Sequence, residues 1–168
     1  MSPKWPGGPS NLRWRKQIGM VADLILHGKM MSVDPASNLA GFARFEAAQK
    51  IDSGSITLKG GAIQFRLREL CDRLAAYPTP DVLVIEELQG VIHNHLRWSV
   101  AAAMLGARAP DVIFCPIPVW KAVSLVTPGY RKTDENDATC IGQAAILTAR
   151  EIWTPTTPGQ TQSGSSAS

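Results

Sequence analysis

Acidic residues stand at three places in the sequence where they could take part in catalysis. Asp34 ends a short extended stretch before a proline, and Glu86 follows the apolar run VLVI. Asp134 and Asp137 are three residues apart, so in a helix they share one face. A carboxylate at the end of a buried strand is costly unless it is paired or binds a cation. Clustered carboxylates could hold Mg²⁺ or Mn²⁺, and two such ions can drive phosphodiester hydrolysis.

Each acid also has an ordinary structural explanation. Asp34 or Glu86 alone could be a solvated strand-end residue or a cap. Asp134 could be a helix N-cap, and acids in a first turn favour the helix dipole. The neighbouring Glu87 or Glu135 could also replace one of the four. The catalytic interpretation therefore depends on whether the fold brings the four acids together.

Alternating patterns along the chain predict the strands and helices that would bring the four acids together. Apolar alternation, turn residues and 3–4-residue spacing indicate the order β-β-β-α-β-α-β-α-α. Strands are predicted over 29–34, 39–46, 49–58 (broken at 52–54), 81–85 and 111–117, and helices over 63–77, 94–106, 118–126 and 134–153. A meander followed by β-α units predicts an α/β fold with a mixed sheet.

This order can bring the acids to one edge of the sheet. If the first strand lies beside the central parallel strand, Asp34 and Glu86 become neighbours at the strands' carboxyl ends, where α/β folds carry their sites. A last helix packed on the sheet would aim Asp134 and Asp137 at the same point. Because all the ligands would be oxygens, magnesium or manganese is favoured over zinc.

The stretches SVDPASNLAGFARFE, DVLVIEEL and TDENDATCIGQAA resemble the acidic motifs of RuvC-type Holliday-junction resolvases, members of the RNase H-like superfamily. The resemblance spans roughly residues 30–153 and is nearest to compact phage or viral members. It implies an RNase H-like mixed five-stranded sheet with helices on both faces. It also implies that Asp34, Glu86, Asp134 and Asp137 are catalytic residues and ligands of Mg²⁺, with Mn²⁺ as the alternative.

Basic residues bear on the substrate. The resemblance implies that Lys121 is a catalytic residue that contacts phosphate and that Arg131 and Lys132 bind DNA. A cation beside a scissile phosphate neutralises it and stabilises the transition state, although solvated surface lysines are equally common. Arg13 and Arg15, which flank a tryptophan, could form a DNA-contacting arm or an ordinary solvated terminus.

Composition limits the remaining possibilities. The 168 residues suit one domain, and a formal net charge of +3 permits nucleic-acid binding without requiring it. Three widely spaced cysteines suit a reducing cytosol, and no apolar run is long enough for a membrane span. With the resemblance, this predicts a cytoplasmic protein, bacterial or in a phage-infected host. We expect residues 1–28 to be a basic, aromatic N-terminal extension, 29–153 the nuclease domain and 154–168 a disordered tail.

The resulting functional hypothesis is a metal-dependent, structure-selective endonuclease that resolves four-way DNA junctions and needs no small-molecule cofactor. Paired symmetric nicks require two sites, so a homodimer is expected. Two alternatives stay open. One is an RNase H-like nuclease that cuts RNA–DNA hybrids or flaps, and the other is a non-catalytic scaffold that binds branched DNA.

Overall fold

A single five-stranded sheet organises the chain. The computed structural model describes residues 4–36, 38–90 and 92–153. Its elements are α1 (Pro9–His27), β1 (Lys29–Asp34), β2 (Leu39–Glu46), β3 (Gln49–Thr57), α2 (Ile63–Ala75), β4 (Val82–Glu86), α3 (Asn94–Ala107), β5 (Asp111–Cys115), α4 (Ile117–Val126) and α5 (Asp134–Ile152). No helix among the described residues combines the length and apolarity needed to cross a membrane.

The strands lie in the order β3-β2-β1-β4-β5. The meander β1-β2-β3 pairs antiparallel, whereas β1-β4 and β4-β5 pair parallel. The sheet is therefore mixed, with helices on both faces, as the sequence predicted. The break expected at 52–54 is wrong, because Ser53 and Gly54 stay in the ladder opposite Ala43 and Phe42. Strand pairing here overrides the local turn preference.

Burial on both sides explains the continuous apolar strands at the centre. Val82 and Val84 belong to the core beneath α1, α4 and α5, while Leu83 and Ile85 face the core beneath α2 and α3. Successive strand residues point to opposite faces, so a strand covered on both sides must be apolar throughout. The strand predicted over 111–117 ends at Cys115, because Pro116 caps α4 instead.

Helix α1 packs into the domain core, which corrects the expectation that residues 1–28 are an extension outside it. Trp14 and Ile18 are fully buried in the core shared with α5. The Trp14 indole N–H donates a hydrogen bond of 2.9 Å to Thr148 Oγ1. Trp14, Ile18, Val21 and Ile25 form a helical stripe, which the surrounding basic residues obscured. The tail predicted over 154–168 lies outside the described residues.

Replacement of Trp14 tests this packing. Trp14→Ala leaves a cavity and removes the indole donor to Thr148, whose hydroxyl keeps its 2.8 Å bond to the Ala144 carbonyl. We therefore expect it to lower the free energy of unfolding by about 3–5 kcal/mol. Leu12→Ala on the same helix is the matched control, because Leu12 is 70% exposed. Urea unfolding of both variants measures the difference. Equal, small losses would show that α1 does not contribute to the domain core.

Candidate active site

Two acids meet at the carboxyl edge of the sheet. β1 and β4 run parallel with Val33 opposite Ile85, and Asp34 and Glu86 each follow directly. Both acids are half-buried. The sheet register therefore places the first two predicted site residues on adjacent strands, as the sequence reasoning expected.

The N-terminus of α5 reaches the same edge through a glycine. Gly41 on β2 pairs with Asp34, and a Cβ at Gly41 would clash with the backbone carbonyl of Asp134. Glycine in a strand interior often marks such a close approach of another backbone. Thr133 caps the helix, its Oγ1 accepting a hydrogen bond of 3.2 Å from the Asn136 N–H. The start of α5 thus lies beside Asp34, on the side away from Glu86.

The electrostatics of Asp34 show that the four acids lie close together. Burial, followed by the charges of Glu86, Asp134 and Asp137, raises the pKa of Asp34 to about 8. Burial and the charge of Asp137 likewise raise the pKa of Asp134. A like charge disfavours ionisation only at short range. The sequence-predicted acids therefore form one cluster, in which Asp34 is the central member.

Glu86 experiences opposing influences. Burial and the charge of Asp137 raise its pKa, whereas the indole N–H of Trp120 and the charge of Lys121 lower it. The Trp120 N–H is buried and has no acceptor at hydrogen-bonding geometry among the described residues. It nevertheless lies close enough to the Glu86 carboxylate to lower its pKa. Lys121, predicted as a phosphate contact, is exposed on α4 close enough to influence the same group.

Asp137 is the most buried of the four acids, with 6% of its surface exposed. The Tyr130 hydroxyl donates a short hydrogen bond to Asp137 Oδ1. Burial and this contact raise the pKa of Tyr130, so the phenol stays protonated and acts as a donor. Asp137 thus has a neutral hydrogen-bond donor as its partner.

The neighbouring glutamates are engaged elsewhere. Glu87 Oε1 pairs with Arg13 at 2.6 Å, and Glu135 Oε1 accepts a hydrogen bond of 2.7 Å from Ser53. Neither residue is among the charges that raise the pKa of Asp34. The geometry therefore favours Glu86 over Glu87 and Asp134 over Glu135.

Basic residues flank the acids on one side. Two grooves of about 310 and 460 Å³ meet at Lys132, which lines both. The first is lined by Trp120, Lys121, Ser124, Leu125, Tyr130 and Lys132, and the second by Leu39, Ser55, Lys132, Thr133, Asp134 and Asp137. Arg131 and Lys132 are exposed next to the start of α5. These grooves place cations beside the carboxylates.

Arg13 and Arg15, predicted to belong to a DNA-contacting arm, lie on α1 in ion pairs. Arg13 contacts Glu87 at 2.6 Å, and Arg15 contacts Glu151 at 2.7 Å. Each arginine therefore has a carboxylate partner within the protein. The Arg13 pair also connects α1 to the residue next to Glu86.

The donor set suits a hard divalent cation. Among residues 4–36, 38–90 and 92–153, no three Asp, Glu, His or Cys side chains converge tightly enough to share one ion in this arrangement. Asp34 nevertheless is largely withdrawn from water and lies among three like charges, and both effects raise its pKa. An all-oxygen cluster short of positive charge fits Mg²⁺ or Mn²⁺.

Comparisons with known proteins bear on the fold. No family model and no curated protein matches the sequence. A structure of Thermus thermophilus RuvC in complex with Holliday junction substrate matches with a TM-score of 0.62 and 14% identity, covering 75% of this chain and 97% of that one. A second Thermus thermophilus RuvC structure matches with a TM-score of 0.59 and 15% identity, covering 73% and 96%. The chain has the RuvC fold. At these identities the RuvC likeness establishes architecture alone.

Three residues that lie near the acids were not predicted from the sequence as parts of the site. Trp120 and Tyr130 act on Glu86 and Asp137 from a helix and a connecting segment, and no spacing rule relates them to those acids. Gly41 did leave a signal, because a glycine inside a predicted strand indicates close backbone contact. Only the tertiary structure identifies the backbone that Gly41 contacts.

Substitution of Gly41 tests the close approach of α5. Gly41→Ala forces the start of α5 away from β2, so we expect a loss of about 1–3 kcal/mol in the free energy of unfolding. Gly60→Ala is the matched control, because nothing lies within 4 Å of a Cβ added there. Urea unfolding measures both variants. Equal stability of the two would contradict the contact between Asp134 and β2.

The raised pKa of Asp34 predicts an unusual pH dependence. Between its ordinary pKa of 3.8 and about 8, the folded chain keeps a proton that the unfolded chain loses. In EDTA, stability should therefore fall as the pH rises through this window. The free energy of unfolding of Asp34→Asn should exceed that of the wild type by roughly 1–3 kcal/mol at pH 8. Near pH 4 the two values should match.

The matched control for this titration is Asp111→Asn, an exposed acid at the start of β5. It should leave the pH dependence of stability unchanged. Chemical unfolding at several pH values gives the comparison. Parallel stability curves for the wild type and Asp34→Asn would contradict the clustering of charge around Asp34.

Proposed function

We propose that the protein is a metal-dependent endonuclease that cuts branched DNA, with the four-way junction as its substrate. The observation that carries this proposal is the cluster of Asp34, Glu86, Asp134 and Asp137 at one edge of a RuvC fold. The similar Thermus structure holds Holliday junction substrate, which favours branched DNA over other nucleic acids.

In this proposal the four acids hold Mg²⁺ or Mn²⁺. Two such ions, when bound, activate a water molecule and stabilise the leaving oxygen of the phosphodiester. Asp34 gives up its proton when a cation offsets its neighbours, since those charges help to raise its pKa. Tyr130 holds the Asp137 carboxylate by a hydrogen bond from its hydroxyl and adds no positive charge to the cluster.

The cations beside the cluster supply substrate contacts. Lys121 lies near Glu86 and lines the first groove together with Lys132. An ammonium group there would neutralise a phosphate and stabilise the charge that develops during cleavage. Arg131 adds a third exposed cation next to the same helix start. We assign DNA backbone contacts to these three residues.

Symmetric resolution of a junction requires two such sites. One chain supplies one cluster of four acids, so paired nicks on opposite strands require two copies related by two-fold symmetry. We therefore propose a homodimer as the functional unit. Cleavage of a hybrid or flap would need one site only.

A cleavage assay tests the function. A labelled four-way junction, linear duplex, single strand, flap and RNA–DNA hybrid are incubated with the protein in Mg²⁺ or EDTA. We expect paired symmetric nicks in the junction only, in Mg²⁺ only. Asp34→Asn should slow cleavage by at least about 100-fold. It should still bind the junction in EDTA, and Asp111→Asn should cut normally.

The alternatives predict different results. Cutting of the hybrid or flap in preference to the junction would keep the acid site and discard junction resolution. Tight junction binding without cleavage in Mg²⁺ or Mn²⁺ would support a non-catalytic scaffold. Normal cutting by Asp34→Asn would overturn the assignment of the acid cluster.

A further inference from the structure

The segment between α4 and α5 is fastened to the first turns of α5. Gly129, at a φ of +71°, makes the turn, a conformation that favours glycine. The Asn136 side-chain amide then donates a hydrogen bond of 2.8 Å to the Arg131 carbonyl, and Thr133 caps the helix. The Tyr130 hydroxyl adds a contact to Asp137.

The contact from Tyr130 differs from the other two because it reaches a candidate ligand. Its acceptor is Oδ1 of Asp137, a carboxylate with only 6% of the residue exposed. This bond uses one lone pair of Oδ1, so lone pairs on both carboxylate oxygens remain for a cation. Carboxylates that bind metals are commonly held by such hydrogen bonds, which fix their orientation.

Tyr130 also connects this carboxylate to the groove of cations. It lines the first groove together with Trp120, Lys121 and Lys132. Residues 131 and 132 follow it directly, so the bond to Asp137 helps to fix where both cations lie. A phenol suits this position because it donates a hydrogen bond without adding charge, whereas a lysine or arginine would itself neutralise the acid.

We propose that Tyr130 is a positioning residue that orients the Asp137 carboxylate for metal binding. This inference rests on the proposed function, since it requires Asp137 to be a metal ligand. Loss of the phenol hydroxyl frees the carboxylate to rotate. Metal binding must then also order the carboxylate, which reduces the free energy of binding. The consequence is weaker metal binding, with the chemical step intact once metal is bound.

The test compares Tyr130→Phe with Tyr77→Phe in the full chain. Tyr77 loses the same hydroxyl on the opposite side of the sheet, where its ring packs 5.0 Å from Phe42. Mn²⁺ titration without DNA, followed calorimetrically, gives the affinity. Tyr130→Phe should bind Mn²⁺ about 10–100-fold more weakly than the wild type. Tyr77→Phe should match the wild type.

A second readout separates positioning from general structural damage. In the junction assay, Tyr130→Phe should need about 10–100-fold more Mg²⁺ for half-maximal cleavage and approach the wild-type rate at saturating Mg²⁺. Thermal unfolding in EDTA should show a midpoint near that of the wild type. A lowered rate that excess Mg²⁺ does not restore would overturn the positioning role.

The outcomes distinguish this inference from the function on which it rests. Unchanged or tighter Mn²⁺ binding by Tyr130→Phe, with normal binding by the wild type, would overturn the role of Tyr130 and leave the metal site standing. If the wild type bound Mn²⁺ no more strongly than Asp34→Asn does, both proposals would be overturned. Weaker Mn²⁺ binding by Tyr130→Phe alone would support the role even if the substrate were not a junction.

Discussion

Burial of neighbouring carboxylates at one edge of the sheet is the constraint on which the site depends. Asp34 is largely withdrawn from water and lies among three other acids, so its ionised form is strongly disfavoured. When no cation is bound, this arrangement lowers the stability of the chain at pH values above the ordinary pKa of aspartate. Its persistence requires rigid elements that hold the acids in place, and the parallel pair β1-β4 and helix α5 are those elements.

The packing of α5 on the sheet is close because the contacting residues are small. The absence of a side chain at Gly41 leaves room for the backbone of Asp134. At Gly142 a Cβ would clash with the Phe45 ring. The buried Ser32 hydroxyl donates a hydrogen bond of 2.6 Å to the Ala138 carbonyl between these two points. A helix seated this closely can bring two acids on its first turns to the strand ends. Larger residues at these positions would separate the acids.

Helix α1 supports the same core beside α5, on the same face of the sheet. Its apolar stripe packs with α5, and Arg13 and Arg15 pair with Glu87 and Glu151. Much of the basic charge at this end of the chain is therefore used within the protein. The exposed cations nearest the acids are instead Lys121, Arg131 and Lys132. These exposed cations thus lie on the same side as the groove that leads to the cluster.

The sequence by itself determined most of the fold. Apolar alternation, strand-end acids and helical spacing predicted every strand, four of the five helices and the meeting of Asp34 with Glu86. These features are local, so periodicity and turn chemistry reveal them. The helical stripe of α1 was missed because flanking basic residues and prolines resemble a terminal extension.

Only the tertiary structure decided what surrounds the acids. The pairing of Glu87 with Arg13, the dipole of Trp120 near Glu86 and the Tyr130 hydroxyl on Asp137 join residues from different elements. No period in the sequence encodes such contacts, because they depend on how helices pack on the sheet. For the same reason, only the packing shows that Gly41 admits the backbone at the start of α5.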